Sequence, residues 1–442
     1  MKRHAAIGTF LWASFGCETF EATIAGTDPA DSSLSDTPTD TRPPVGQYDC
    51  PVCNAADCDQ DKDSLTDAEE IALGTNPCSP DTDADGLPDG LEVKGFTHSA
   101  PYGFVDYPKV YGTNPKVKDV LVEVDYQKFT DARGAQHSAR LSAAVVKHLE
   151  SYYAGLHIPY PGGSKGPIHL VLVHDDAHPL GDGDGKLDPP GTDSHHDCYL
   201  GAGSDGDHSS SDFPDQTFRK ASLCIGAEGG RGHSHIGGRT LKLSGPETNN
   251  LIDGEADDET ERAQHVWYSV FMHEMGHSLG LHHGGNVEMN YKPNYPSVMN
   301  YRYDSRLGDH PQTLKATRVG YSTGSLQAFP LNPCALSETN SFPGLSASDV
   351  AFLAVGGDGT RLSRAYNVFP GQTGPRVDWN DNGSPDTSLV QVQMTDPEIP
   401  CTGQPQGKEI RDVDDLAIIG KCMHVALPAS VLKAADGCPQ RE

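Results

Sequence analysis

Positive charge is scarce in this 442-residue chain: 33 Lys and Arg stand against 62 Asp and Glu, a formal net charge of −29 at pH 7. That balance excludes a surface built for nucleic acid or for anionic membrane, because the chain's own field repels phosphate. A long apolar run is missing too. The run that opens the chain, Ala5 to Phe15, is too short to span a bilayer. Hydrophobic residues make up 36% of the total, while Gly (48) and Pro (33) are plentiful. The composition points to a loop-rich protein stabilised partly by bound ions and disulfides. Its length allows two or three domains and a sizeable core.

Lys2, Arg3 and His4 precede the apolar run, so residues 1–16 read as an export signal. Cys17 follows Ser14-Phe15-Gly16, which resembles a loose bacterial lipoprotein box and would make a lipid on Cys17 the chain's tie to a membrane. The alternative is ordinary cleavage near Thr23-Ile24-Ala25. Either way ten of the 11 cysteines are left, and an even count in an exported chain predicts up to five disulfides. Residues 17–47 are poor in apolar side chains and rich in Thr, Ser, Asp and Pro, the composition of a disordered tether.

Residues 48–95 hold two related acidic units. Asp59, Asp61, Asp63, Asp67 and Glu70 fall at positions 1, 3, 5, 9 and 12 of a loop, and Asp81, Asp83, Asp85, Asp89 and Glu92 repeat the pattern 22 residues on. This is the ligand spacing of an EF-hand-like calcium loop, with the Leu65 and Leu87 carbonyls at position 7. Gly86 makes the sharp turn at position 6, and Ser64 stands there in the first unit. The units resemble the short calcium repeats of thrombospondin type 3 regions and their bacterial relatives. Cys50, Cys53, Cys58 and Cys78 are placed to staple a module too small to build its own core.

A larger domain is expected over residues 96–310. Val117–Tyr126 and Ile168–Val173 have the β-branched content of strands, and Ser138–Ala154 carries Leu141, Val145, Leu149 and Tyr152 at helical spacing. Residues 175–206 form a polar insertion with a further Asp/Gly run (Asp182, Asp184, Asp188), with His195 and His196 read as solvated, and with Cys198, expected to pair with Cys224. Ala221–Ile225 and Arg239–Leu243 read as strands, the second as the sheet's edge. Cys334, Cys401, Cys422 and Cys438 suggest a disulfide-held C-terminal region, residues 311–442. Within it Asp378, Asn380, Asn382 and Asp386 make a further calcium-like loop without the acid at position 12.

The chemistry concentrates in Phe271-Met272-His273-Glu274-Met275-Gly276-His277-Ser278-Leu279-Gly280-Leu281-His282-His283, an H-E-x-x-H-x-x-G-x-x-H pattern. His273 and His277 lie four apart and share one helix face, so both imidazoles can aim at one ion. The helix is expected to start near Asp258, with Asp258 and Glu261 spaced like a capping box. Gly280 permits a left-handed exit, and the turn returns His283 as third ligand. His282 is off the spacing and reads as a neighbour. Three neutral nitrogens with one open position describe catalytic zinc.

With Ser297-Val298-Met299-Asn300-Tyr301 downstream, the sequence resembles the metzincin clan of zinc endopeptidases over roughly residues 258–303. The resemblance implies an α+β catalytic domain with a mixed sheet, a zinc helix and a methionine turn at Met299. It implies zinc on His273, His277 and His283, and Glu274 as general base toward a zinc-bound water. Tyr301 would stabilise the oxyanion. The expected protein is a secreted or surface-anchored zinc endopeptidase with structural calcium, acting on protein or peptide. Two other readings stay open: a calcium-dependent adhesion protein with a vestigial protease-like domain, and a zinc hydrolase of a non-peptide substrate.

Overall fold

The run Asp119-Val-Leu-Val-Glu-Val-Asp-Tyr126 alternates apolar side chains to both sides, and in the computed structural model it is a strand buried on both faces. The structure describes residues 50, 55, 57–98, 103–126, 128–130, 133–174, 217–225, 231–245, 258–303, 320–341, 367–371, 374–395, 401 and 409–423. The chain divides into two units, residues 1–47 and 48–442. The expected export signal, the tether and Cys17 lie outside the described residues, as does the insertion at 175–206 with Asp182, Asp184, Asp188, His195, His196 and Cys198.

In chain order, α1 (Asp67–Leu73) and α2 (Asp89–Lys94) each follow an acidic loop. A hairpin of β1 (Phe96–His98) and β2 (Gly103–Val105) leads to α3 (Tyr107–Tyr111) and then to the doubly buried strand β3 (Asp119–Tyr126). Next come the hairpin β4 (Lys128–Thr130) and β5 (Gln136–Ser138), helix α4 (Ala143–Ala154), and the short pair β6 (Ile158–Pro159) and β7 (Lys165–Gly166). Strands β8 (His169–His174), β9 (Arg219–Ile225), β10 (Arg231–Ser234) and β11 (Thr240–Gly245) precede the long helix α5 (Asp258–Ser278). The pair β12 (Asn367–Phe369) and β13 (Arg376–Asp378) and helix α6 (Asp415–Cys422) follow. Helix α4 starts later than its periodicity suggests because Gln136–Ser138 pairs as a strand. Ser142 then caps the helix, accepting from Val145 N at 3.2 Å.

The main sheet runs β10-β11-β9-β3-β8, all parallel except β10, which is antiparallel to β11. The chain is therefore α+β with a mixed five-stranded sheet. One expectation is corrected here. Of Arg239–Leu243, residues 240–243 lie on β11, the second strand, and the edge on that side is β10 among the described residues. Arg231-Gly232-His233-Ser234 has no β-branched or large apolar residue, so nothing in its composition announces a strand.

Side chains alternate across β3 and seed two cores. Val120, Val122 and Val124 pack with Val145, Leu149 and Tyr153 of α4 and with Trp267 and Phe271 of α5. Leu121 points the other way, onto Leu87, Leu91, Tyr107, Tyr111 and Phe218. Helix α2 of the acidic module and α3, which follows the module, thus cover the second face of the sheet together. Cys50 bonds to Cys78, and Cys58 is also disulfide-bonded.

Tyr321, Ile419 and Met423 belong to the main core, while Leu331, Leu336, Val377, Trp379, Met394 and Ile410 form a smaller one. Cys334 bonds to Cys401, and Cys224 and Cys422 are disulfide-bonded. Among the described residues no helix is long and apolar enough to cross a membrane.

Asp415, at 0% exposure, ties the two parts together. Its carboxylate accepts from Tyr295 Oη at 2.7 Å, Ser297 Oγ at 2.6 Å and Ser322 N at 2.8 Å. Replacing it with Ala orphans three buried donors. Asp415→Ala is expected to lower stability by about 3 kcal/mol. Guanidinium unfolding checks this, and a loss below about 1 kcal/mol would show that the turn at 297–301 holds without the carboxylate.

Candidate functional site

Helix α5 is apolar around much of its circumference, with Trp267, Phe271, Met272 and Met275 at 0% exposure, so its polar face is enclosed. His273 and His277 sit one turn apart on that face with ring centroids 4.9 Å apart. The helix ends in a glycine turn: Gly280 has φ +97°, Gly280 N donates to His277 O and Leu281 N to Gly276 O, both at 2.9 Å. The turn returns His283, whose ring centroid is 5.4 Å from that of His273 and 4.8 Å from that of His277.

One ring nitrogen of each histidine lies within 4.8 Å of the others. Their Nδ1 atoms face outward. Those of His273 and His277 bond Val298 O at 2.8 Å and Leu281 O at 2.7 Å, and that of His283 bonds Glu288 Oε2 at 3.2 Å. These outer bonds fix the ring planes and turn Nε2 toward a common point, as in histidine metal sites. Burial, with His283 nearby, draws the His277 pKa down to about 4, which keeps the ring in its neutral, ligating form. The donor set fits zinc: three neutral nitrogens that surround one point and leave a side open.

Glu274 lies beside this cluster at 4% exposure, and burial raises its pKa to about 8. Its Oε2 has no hydrogen-bond partner among the described residues. Edge strand β10 crosses directly over it, and a Cβ on Gly232 would overlap the Glu274 carboxylate. Met299, at 0% exposure, lies under the helix against Gly276, where a Cβ would overlap its sulfur. Tyr301 stacks on His273 with centroids 5.4 Å apart and tilts on His283 at 4.5 Å. His282 stays out of the cluster and bonds Glu288 through Nδ1.

Three residues were not foreseen. Glu288 orients His283, Gly232 admits Glu274 beneath the edge strand, and Gly276 makes room for Met299. The only signal available was that Glu288 is the first acid after the last histidine of the pattern.

In the acidic module, Asp59, Asp61 and Asp63 cluster, and so do Asp81, Asp83 and Asp85. Positive φ recurs at positions 4 and 6: Lys62 and Ser64 in the first loop, Ala84 and Gly86 in the second. Position 1 closes each loop, with Asp59 accepting from Ser64 N at 3.1 Å and Asp81 from Gly86 N at 2.8 Å. Leu65 and Leu87 are buried at position 7. Both side-chain oxygens of Asp61, Glu70, Asp83 and Glu92 are buried without a partner. A cation answers that need. Asp67 and Asp89, at position 9, accept from Gln60 N at 2.9 Å and Thr82 N at 2.8 Å. They open α1 and α2, and Asp89 also accepts from Thr82 Oγ1 at 2.6 Å.

The loop of Asp378, Asn380, Asn382 and Asp386 has the same backbone, with positive φ at Asp381 and Gly383. Asp378 accepts from Gly383 N at 2.8 Å. Here the polar groups satisfy one another, Asp386 accepting from the Asn380 and Asn382 amides at 2.7 and 2.8 Å. Buried Glu338 accepts from Asn380 N and Asp386 N.

No family model matches the chain, and neither a curated protein nor a solved structure does so significantly. What stands is an α+β fold carrying a three-histidine cluster and acidic clusters able to hold metal.

Burial and mutual repulsion raise the metal-free carboxyls of Asp61 to about 6, Glu70 and Asp83 to about 8 and Asp89 to about 7. Between their unfolded and folded pKa values the folded state binds more protons, so stability falls as pH rises from about 4 to about 8. A divalent cation such as calcium, if held by the ionised ligands, would remove that fall. Calcium-free protein with zinc kept in place is therefore expected to melt progressively lower from pH 5 to pH 8, and calcium-loaded protein to keep its Tm. Parallel melting curves with and without calcium would contradict this.

Proposed function

We propose that the protein is a zinc-dependent endopeptidase of the metzincin type, secreted or held at the cell surface. The observation that carries this reading is the convergence of His273, His277 and His283 beside Glu274, a buried carboxylate with an unpartnered oxygen. A zinc ion on the three histidines would supply Lewis acidity toward a carbonyl oxygen and lower the pKa of water.

The chain's own residues account for the rest. Glu274 takes a proton at the unpartnered Oε2 and returns it to the leaving amine, and its high pKa suits holding that proton between the two steps. Tyr301, packed on His273 and His283, is the candidate donor to the developing oxyanion. Met299 shapes the floor and does no chemistry. Edge strand β10 supports a peptide substrate. An extended chain can add to it by backbone hydrogen bonds, and Gly232 puts that strand against the base. The disulfides and the calcium-type loops suit an oxidising, calcium-rich exterior.

The test compares the chain with its Glu274→Ala variant, both loaded with zinc and calcium, on denatured casein, with mass spectrometry reading the cut sites. The parent is expected to cleave, and the variant to lose activity by about 10²–10⁴-fold while holding one zinc. Two inactive proteins that each bind zinc would favour the vestigial or non-peptide readings. Once cut sites are known, peptides N-methylated beside the scissile bond are expected to inhibit about tenfold more weakly than unmethylated ones. Equal inhibition constants would remove the edge strand from substrate binding.

A further inference from the structure

The calcium-type repeat does not stop at α2. Gly74-Thr75-Asn76-Pro77 after α1 recurs as Gly112-Thr113-Asn114-Pro115 after α3. Seven residues after each glycine stands an aspartate, Asp81 and Asp119. The hydrogen bonds recur as well. Asn76 Oδ1 accepts from Cys78 N at 3.2 Å and Asn114 Oδ1 from Lys116 N at 3.1 Å. Thr75 Oγ1 donates to Glu70 O at 3.4 Å and Thr113 Oγ1 to Glu92 O at 3.1 Å, Glu70 and Glu92 being the position-12 acids. Each loop also reaches its successor through position 5: Asp63 accepts from Gly90 N at 2.8 Å, and Asp85 from Asp119 N. Asp119, the first residue of β3, thus stands where a third loop would begin.

Carboxylate oxygens of Asp85, Glu92 and Asp119 lie within 4.8 Å of one another. Acid clustering alone would decide nothing. The second observation is Glu92, 1% exposed and set against Asp119; the Glu92 oxygens meet no donor among the described residues, and Asp83 is alike at 2%. Two cationic side chains face these acids across space but spend their hydrogen bonds on other groups: Lys118 Nζ donates to Ala84 O at 2.5 Å, and Arg219 Nε donates to Ser278 Oγ at 2.9 Å. His169 Nδ1 and Asn114 N, the latter at 2.9 Å, hold the Asp119 carboxylate in place.

We infer that Asp119 binds the calcium ion of the second loop together with Asp85 and Glu92, so that one ion joins the acidic module to the central strand of the sheet. The inference rests on the calcium reading of the loops and adds a ligand from outside them. It also joins the ion to the zinc helix. Arg219 lines the same cleft as Asp85 and Asp119, and Ser278, its partner, directly follows His277.

The test is calorimetric calcium titration of the full, zinc-loaded chain, comparing wild type with Asp119→Asn and Asp61→Asn. Asp119→Asn is expected to weaken one calcium step by about tenfold or more, and Asp61→Asn a different one. Wild-type affinity at every step in Asp119→Asn would overturn the inference. Should that variant misfold, hydrogen exchange on the wild-type chain decides. Protection of residues 119–123 at the same calcium midpoint as residues 81–92 supports a shared ion, and protection of the loop alone refutes it. A wild-type chain that binds no calcium would sink the calcium reading itself.

Discussion

A carboxylate buried without a donor is among the most expensive groups a fold can contain, and this chain buries several. Asp61, Glu70, Asp83, Glu92 and Glu274 each keep a buried oxygen with no hydrogen-bond partner among the described residues. In the acidic loops the unmet need is spread over neighbouring carboxylates, which is the condition for holding a hard divalent cation. Beside the three histidines it is a single isolated group with a raised pKa, which is the condition for moving a proton. The same physical liability suits two different uses, and the difference lies in how many acids share the space.

The sheet makes the two uses interdependent. β3 has no solvent face: Val120, Val122 and Val124 serve the core under α5, and Leu121 serves the core under α2 and α3. The acidic module therefore acts as one wall of the sheet that carries the histidine cluster, rather than as an appendage. The C-terminal part contributes from the other side. Asp415 anchors the segment around Ser297, and the next residue's carbonyl, Val298 O, fixes the His273 ring. The candidate site is thus set by groups more than a hundred residues apart in sequence.

Local spacing made much of this legible. Two histidines four apart define a helix face, Gly280 marks where that helix must end, and acids two apart define a loop that folds around a cation, because these relations are fixed by the backbone over a few residues. The β-branched run of β3 reads the same way. The central strand, the long helix, the three histidines and the two acidic clusters were therefore accessible from the chain alone.

What tertiary structure decided is which partner each of those local elements meets. β10 displaced Arg239–Leu243 from the sheet edge because pairing order depends on the whole sheet and not on a strand's own composition. Asp67 and Asp89 reach back seven residues to accept from Gln60 N and Thr82 N, contacts that the spacing of the acids does not announce. Gly232 and Asp415 acquired their roles only where distant segments came together, and Asp119 joined Asp85 and Glu92 only because the sheet begins against the second loop. Periodicity governs contacts within a turn or a loop; it carries no information about which surfaces, once folded, will bury one another.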